Sequence, residues 1–197
     1  MCLGLCTLSD ENLRKVISDP PLVWKVIAPD DEEAYENSRP AHSVSLLEKL
    51  FGKNKSESSP IINIADDEVI NSDLDKAWHG IHYLLTQTAW EGQPPLNFLV
   101  SSGIQIGDID VGYGPARAFL SDEVKTINAA LNPLNEAWLK SRFNPKEMMD
   151  LEIYPTIWDR EPSDDDTFGY CAEYFSVLKE FIGKAASNEA GVIIYIS

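Results

Sequence analysis

Asp75, His79, His82 and Thr86 recur at steps of four, three and four, the spacing that stacks side chains along one face of an α-helix. A helix predicted over 73–87 therefore carries a carboxylate, two imidazoles and a hydroxyl in one stripe. Leu74, Trp78, Ile81 and Leu85 follow the same steps, displaced by about 100° around the axis, and form an apolar wall beside it. Such a stripe suits acid–base work in a pocket, metal ligation or a buried hydrogen-bonded network. Zinc or iron would want at least one ligand beyond His79 and His82. The third histidine, His42, lies in a variable loop. Neither the two-His-plus-Glu metalloprotease motif nor the His-x-Glu deaminase motif is present. The spacing favours a network near Trp78 over a ligand pocket, and a pocket over a metal site; no metal and no cofactor is expected.

Gly112-Tyr113-Gly114-Pro115-Ala116-Arg117 is the second constellation. Its glycines permit a tight turn, and Arg117 offers a planar fork for a carboxylate or phosphate. The expected partner of Arg117 is an internal carboxylate such as Asp75 or Glu152; an anion-binding corner beside Tyr113 is the functional alternative. The pocket candidates are thus Asp75, Trp78, His79, His82, Tyr113, Arg117 and Tyr154. No Gly-x-Ser-x-Gly elbow, Walker loop or dinucleotide fingerprint occurs. Cys171, near a helix start, reads as buried and inert. Asp164-Asp165-Asp166 lacks the alternate spacing of a calcium loop. No catalytic residue is assigned, and a non-enzymatic role is expected.

The charge points outward. Thirty-two acidic against sixteen basic residues give a net charge of −16 in 197 residues, a field that repels nucleic acid and anionic membranes and attracts basic surfaces. Two clusters stand out, Asp30, Asp31, Glu32, Glu33 and Glu36, then Asp66, Asp67 and Glu68. With Asp164, Asp165 and Asp166 and an aromatic anchor at Trp158, they are the candidate contacts for a basic protein partner. Three cysteines without metal spacing suggest reduced thiols in a cytoplasmic protein; no signal peptide is apparent, and no apolar stretch approaches membrane-span length.

The elements that must position these residues read as follows. Met1–Leu8 is a strand leading into a helix capped by Ser9 or Asp10 and stopped by Asp19-Pro20-Pro21. Residues 28–43 read as a solvated acidic loop, Val44–Phe51 as a short helix and Pro60–Ile64 as a brief strand. A helix is expected from Pro94 to about Ser101, then an irregular strand over 104–113. Helices follow near 121–131, 134–142 and 145–149, then a long one over 170–186 with Tyr174, Phe175, Leu178, Phe181 and Ile182 inward. Val192–Ile196 is a β-branched terminal strand. The fold class is α+β, with a mostly helical middle and a small sheet that includes the N- and C-terminal strands. One domain is expected over 1–197, with a variable acidic and Ser-rich insertion at about 28–72.

The segment 73–87, Gly112–Arg117, Glu152-Ile153-Tyr154-Pro155 with Trp158, and the helix Tyr174-Phe175-x-x-Leu178 together resemble the YfbM-like family of bacterial proteins. The resemblance covers most of residues 1–25 and 73–197. One departure is Gln87, where glycine is expected after Leu-Leu-Thr. The family's domain is one of unknown function, so the resemblance implies a small cytoplasmic α+β protein and little chemistry. Some members are associated with bacterial toxin–immunity systems, which implies an inhibitory binding role for a subset. The combined expectation is an immunity protein that neutralises a basic toxin such as a nuclease effector. The alternative is a small-molecule-binding protein or enzyme using the polar stripe.

Overall fold

A computed structural model describes residues 1–39, 62–65, 67–161 and 163–197. Strands β1 (Leu3–Leu8), β2 (Asn71–Asp73), β3 (Ile104–Asp110), β4 (Pro115–Phe119) and β5 (Gly191–Ile196) form one sheet in the order β2-β1-β5-β4-β3. All neighbours run antiparallel. The two terminal strands pair along their full length, from Leu3↔Ile196 to Leu8↔Gly191, which ties the ends of the chain into the centre of the sheet.

Both faces of the sheet are covered, so β1 is buried at every residue and shows no polar alternation. On one face, Leu3, Leu5, Phe119, Val192 and Ile194 meet α4 (Trp78–Thr86), α5 (Ser121–Leu131) and α8 (Thr167–Ser187). On the other, Cys6, Leu8, Ala116, Ala118 and Ile193 meet α1 (Asp10–Ser18), α2 (Val23–Ile27) and Tyr35 of α3 (Glu32–Ser38). Short helices α6 (Glu136–Lys140) and α7 (Pro145–Asp150) complete the first layer. Among the described residues, no helix is long and apolar enough to cross a membrane.

Helix α4 is the centre of the larger core: every residue from Trp78 to Leu85 is buried. Gly80 makes this possible. A Cβ there would lie 2.4 Å from Trp158 Cη2 and 2.8 Å from Cys171 Sγ, so only glycine lets Trp158 and α8 close on α4. Helix α8 is capped by Asp166, whose carboxylate accepts from Gly169 N, and buries Phe175, Leu178, Phe181 and Ile182. Ser9 caps α1 by accepting from Asn12 N, as its side chain predicts.

Several expectations are corrected. Residues 32–38 of the expected loop form helix α3, because Asp31 caps it and Glu32 and Glu33 occupy its first turn, where carboxylates oppose the helix dipole. The segment 94–100 forms turns rather than a helix. Pro115–Phe119 is a strand, held by β5 through Arg117↔Ile194 and Phe119↔Val192. The expected helix at 44–51 and most of the expected strand at 60–64 lie outside the described residues; residues 62–64 form no strand.

Candidate functional site

The polar stripe of 73–87 divides where the helix begins. Asp75 precedes α4 in a 3-10 turn, Asp75–Ala77, and adopts a left-handed φ of +44°, so it leaves the helical phase. Its carboxylate accepts from Tyr170 OH at 2.8 Å and from Cys2 Sγ at 3.4 Å. The Tyr170 bond, ahead of the other contacts, holds the Asp75 carboxyl below its ordinary range.

His79 is fully committed. Its Nδ1 accepts from Tyr154 N at 2.9 Å, which assigns the proton to Nε2, the donor to Ala89 O at 2.7 Å. The ring stacks on Trp78, 4.9 Å away at 13°, and meets Trp90 at 4.3 Å. Burial lowers its pKa, because the charged form loses its water. His82 is 0% exposed. Burial, reinforced by His79 and Arg117, pushes its pKa down to about 4. Its Nε2 lies 3.4 Å from Thr86 Oγ1, whose hydroxyl donates to His82 O at 2.8 Å. No protein group meets His82 Nδ1 or the buried Asn97 Oδ1 in good hydrogen-bond geometry among the described residues, although the Glu91 backbone lies near enough to His82 to oppose the fall of its pKa.

Arg117 differs from expectation. Instead of pairing with Asp75 or Glu152, it donates to the carbonyls of Phe98 at 3.0 Å, Ser102 at 2.6 Å and Leu99 at 2.5 Å. Its position on β4 aims it under the 98–102 backbone, whose clustered carbonyls form a partial negative charge. Burial lowers its pKa to about 10, so it remains a cation.

Tyr113 sits 62% exposed on the β3–β4 turn, and Tyr154 accepts from Met1 N at 3.1 Å while stacking on Trp78 at 6.2 Å. Trp78 Nε1 in turn points to Met1 O at 3.4 Å. The structure thus brings Trp78, His79 and Tyr154 together, ties Asp75 to Cys2 beside them, sets His82 deeper with Arg117, and leaves Tyr113 outside on its turn. Sequence reasoning missed Trp90 and the contacts that Cys2 and Tyr170 make with Asp75; Tyr170 reads from the sequence as part of an aromatic edge with Tyr154 and Trp158. Trp90 falls outside any helical stripe, but a tryptophan next to Glu91 and the Gly92–Pro95 turn signal is a legible hint of an exposed ring.

Among the acidic candidates, Asp30, Asp31, Glu32, Glu33 and Glu36 are all exposed; Glu32 pairs with Lys25. Asp67 is exposed and Asp66 lies outside the described residues. Glu68 turns inward: its carboxylate accepts from Ser9 N at 2.9 Å, Asn12 Nδ2 at 2.8 Å and Ala65 N at 3.2 Å. Burial opposes its charge, yet these bonds prevail and its pKa falls. Asp164 is exposed, Asp165 pairs with Arg160 at 2.6 Å and Asp166 is the α8 cap. Trp158 is no surface anchor: it is 1% exposed and donates to Ile153 O at 2.6 Å, because Gly80 opens a slot for its ring.

Burial pushes the Cys6 thiol up to about 12 and raises Cys171 as well, which suits neither to nucleophilic work. Among the described residues, no group of three or more His, Cys, Asp or Glu side chains is placed to hold a metal ion.

Fold and site define an α+β protein whose internal polar groups are largely committed to structure and whose surface carries acidic and aromatic side chains. The chain belongs to the family described as "Domain of unknown function (DUF1877)", whose model matches residues 1–195. Its structure is similar to that of YfbM from Escherichia coli, a protein of unknown function, with a TM-score of 0.61 over 98% of each chain at 13% identity; that likeness concerns the fold alone. A search of curated proteins returned no match.

Proposed function

We propose that this chain is a non-enzymatic binding protein that captures a basic protein, most concretely an immunity protein that neutralises a basic bacterial toxin such as a nuclease effector, in the cytoplasm. The observation that carries the reading is the acidic surface around α3. Asp30, Asp31, Glu32, Glu33 and Glu36 are all exposed on a capped helix within a chain of net charge −16. Carboxylates fixed on a helix steer a basic partner and speed its encounter without first having to be ordered. The commitment of both His79 nitrogens and of Asp75 also favours binding over acid–base catalysis.

Titration calorimetry against a basic effector encoded beside this chain tests the reading. A tight complex that weakens at least tenfold between low and moderate salt is expected; absence of any complex at low salt would sink it. A second reading, small-molecule binding along the stripe, draws on the unpartnered Nδ1 of His82 and Oδ1 of Asn97. A crystal structure with nothing bound beside these two atoms would end it.

A further inference from the structure

We infer that the basic partner docks at the end of the sheet marked by Trp90, Tyr113 and Tyr154, laying arginine or lysine side chains on the open rings between flanking carboxylates. This rests on the reading of a basic partner and adds where it binds.

Tyr113 and Trp90 are the most exposed of the described large apolar side chains, at 62% and 56%. Sequence-distant segments converge on this end. Trp90 packs on His79 at 4.3 Å and lies 6.3 Å from Trp78. Trp78 contacts Tyr154 and Met1. Cys2 N donates to Ser197 O at 2.7 Å, and Tyr113 N donates to the adjoining Ile196 O at 3.0 Å.

The rings are held in place, which lowers the entropy lost on binding. His79 beneath Trp90 is fixed on both nitrogens. The Tyr113 turn is pinned by Asp110 Oδ1, which accepts from Gly112 N and Gly114 N, both at 2.9 Å. A Cβ on Gly112, at φ +141°, would meet Ser197 Cα at 2.8 Å, so the turn keeps one close seat against the end of β5.

Charge complementarity selects the occupant. Asp73, Asp110, Glu91 and Glu152 are exposed at or beside these residues, and the half-buried Asp75 carboxylate lies against Cys2. Their field is felt locally: after burial, Asp75 and Asp73 raise both the Cys2 thiol and the Tyr174 phenol. Among the described residues, the cations near this end include Lys76, which is exposed, Met1 N, which is engaged by Tyr154, and the deeper Arg117, which is committed to the carbonyls of Phe98, Leu99 and Ser102.

Elsewhere the chain covers its own rings with cations: Lys25 lies 4.3 Å from the Tyr35 centroid, Lys140 4.1 Å from Phe168 and Arg142 4.5 Å from Trp138. Among the described residues, no lysine or arginine lies over Trp90 or Tyr113. These two faces are free to make the same contact with a partner's cation. The α3 surface lacks this feature, because its aromatic residue Tyr35 is buried and already lies under Lys25.

The probe is an octa-arginine peptide, titrated into isotopically labelled protein at low ionic strength and followed by NMR. The Trp90 indole N–H and the amides of 112–114 should shift most, and the buried Trp158 indole least. Tyr113→Ala and Trp90→Leu should each weaken binding by about two- to fivefold, the scale of one exposed cation–π contact. The triple change Asp31→Asn, Glu33→Gln, Glu36→Gln should act mainly through net charge and leave the map of shifts in place. Tyr113 is on an exposed turn, so its variant remains informative if Trp90→Leu disturbs the His79 stack. Shifts centred on 30–36 with both aromatic variants binding normally would overturn this docking site while leaving a basic partner standing. Failure of octa-arginine to bind at all would remove the basic-partner reading and this site with it. The same shifts appearing without peptide as protein concentration rises would identify a second copy of the chain as the occupant and overturn the inference.

Discussion

Gly80→Ala is expected to destabilise the fold although alanine is the better helix former. The new Cβ would sit 2.4 Å from Trp158 Cη2, 2.9 Å from Trp158 Cζ2 and 2.8 Å from Cys171 Sγ. Neither neighbour yields easily. The Trp158 ring is 1% exposed and tethered through Nε1 to Ile153 O, and Cys171 is fixed in α8, the longest helix among the described residues. Overpacking of this kind costs about 1–3 kcal/mol, and two rigid neighbours place Gly80 near the top of that range. Replacing glycine within a helix returns about 1 kcal/mol. The net loss is about 2 kcal/mol, or a fall in Tm of roughly 4–8 °C for a chain of this size. Urea denaturation should show a lower midpoint with an unchanged slope. Trp158→Phe removes the two ring atoms nearest the new methyl, so the double variant should lose at least about 0.5 kcal/mol less than the two single losses combined. An alanine variant as stable as the parent, or a coupling of zero, would refute the claim that Gly80 is dictated by the α4–α8 approach.

Three further outcomes follow from the site. His82 has a folded pKa near 4 against an ordinary value near 6.5, so the unfolded chain takes up the proton first. Its contribution is complete above pH 6.5 and is lost as pH falls toward 4, about 3 kcal/mol in all; a folded-state NMR titration of the His82 ring near 6.5 would contradict this. Arg117→Lys keeps the charge but forfeits two of three carbonyl bonds, at a cost of about 2 kcal/mol. Amide exchange over 97–102 should accelerate, and unchanged exchange would mean the clamp is incidental. Gln87 occupies the left-handed helix terminus at φ 59° and ψ 31°, where its Nε2 donates to Tyr83 O at 3.1 Å and Arg142 O at 3.3 Å. Gln87→Gly relieves the backbone and loses these bonds, so stability should stay within about 0.5 kcal/mol of the parent. Gln87→Ala loses the bonds without the relief and should fall about 1 kcal/mol lower. An alanine variant as stable as the glycine variant would show that the left-handed backbone costs nothing here, and one as stable as the parent would show that the side-chain bonds contribute nothing.

What could be read from the residues, and what could not, follows physical lines. β1 and β5 were legible because their apolar and β-branched runs are buried on both faces, and α8 because its inward positions keep the helical period over many turns. β4 was not legible: Pro-Ala-Arg-Ala-Phe has no intrinsic strand preference, and its extended state is imposed by pairing with β5. Helix α3 was hidden by its acidity, since composition suggested a solvated loop while capping by Asp31 favoured a helix. Helical phase counted from Asp73 predicts one continuous stripe, but the helix begins at Trp78, and the left-handed Asp75 turns that carboxylate toward Cys2 and Tyr170. Charge pairing predicts a carboxylate partner for Arg117; the 98–102 carbonyls that hold it are backbone groups and leave no mark in residue identities. The convergence of Trp90, Tyr113 and Tyr154 is long-range and emerges only once β1, β5 and the β3–β4 turn meet.

The proposed capture of a basic partner has one direct test. Tagged full-length protein should be used to recover bound proteins from its native source at low salt, and the recovered protein titrated calorimetrically at two ionic strengths. A strongly basic protein whose affinity falls at least tenfold between about 50 mM and 300 mM salt is predicted. A partner without excess positive charge, or an affinity indifferent to salt, would contradict it.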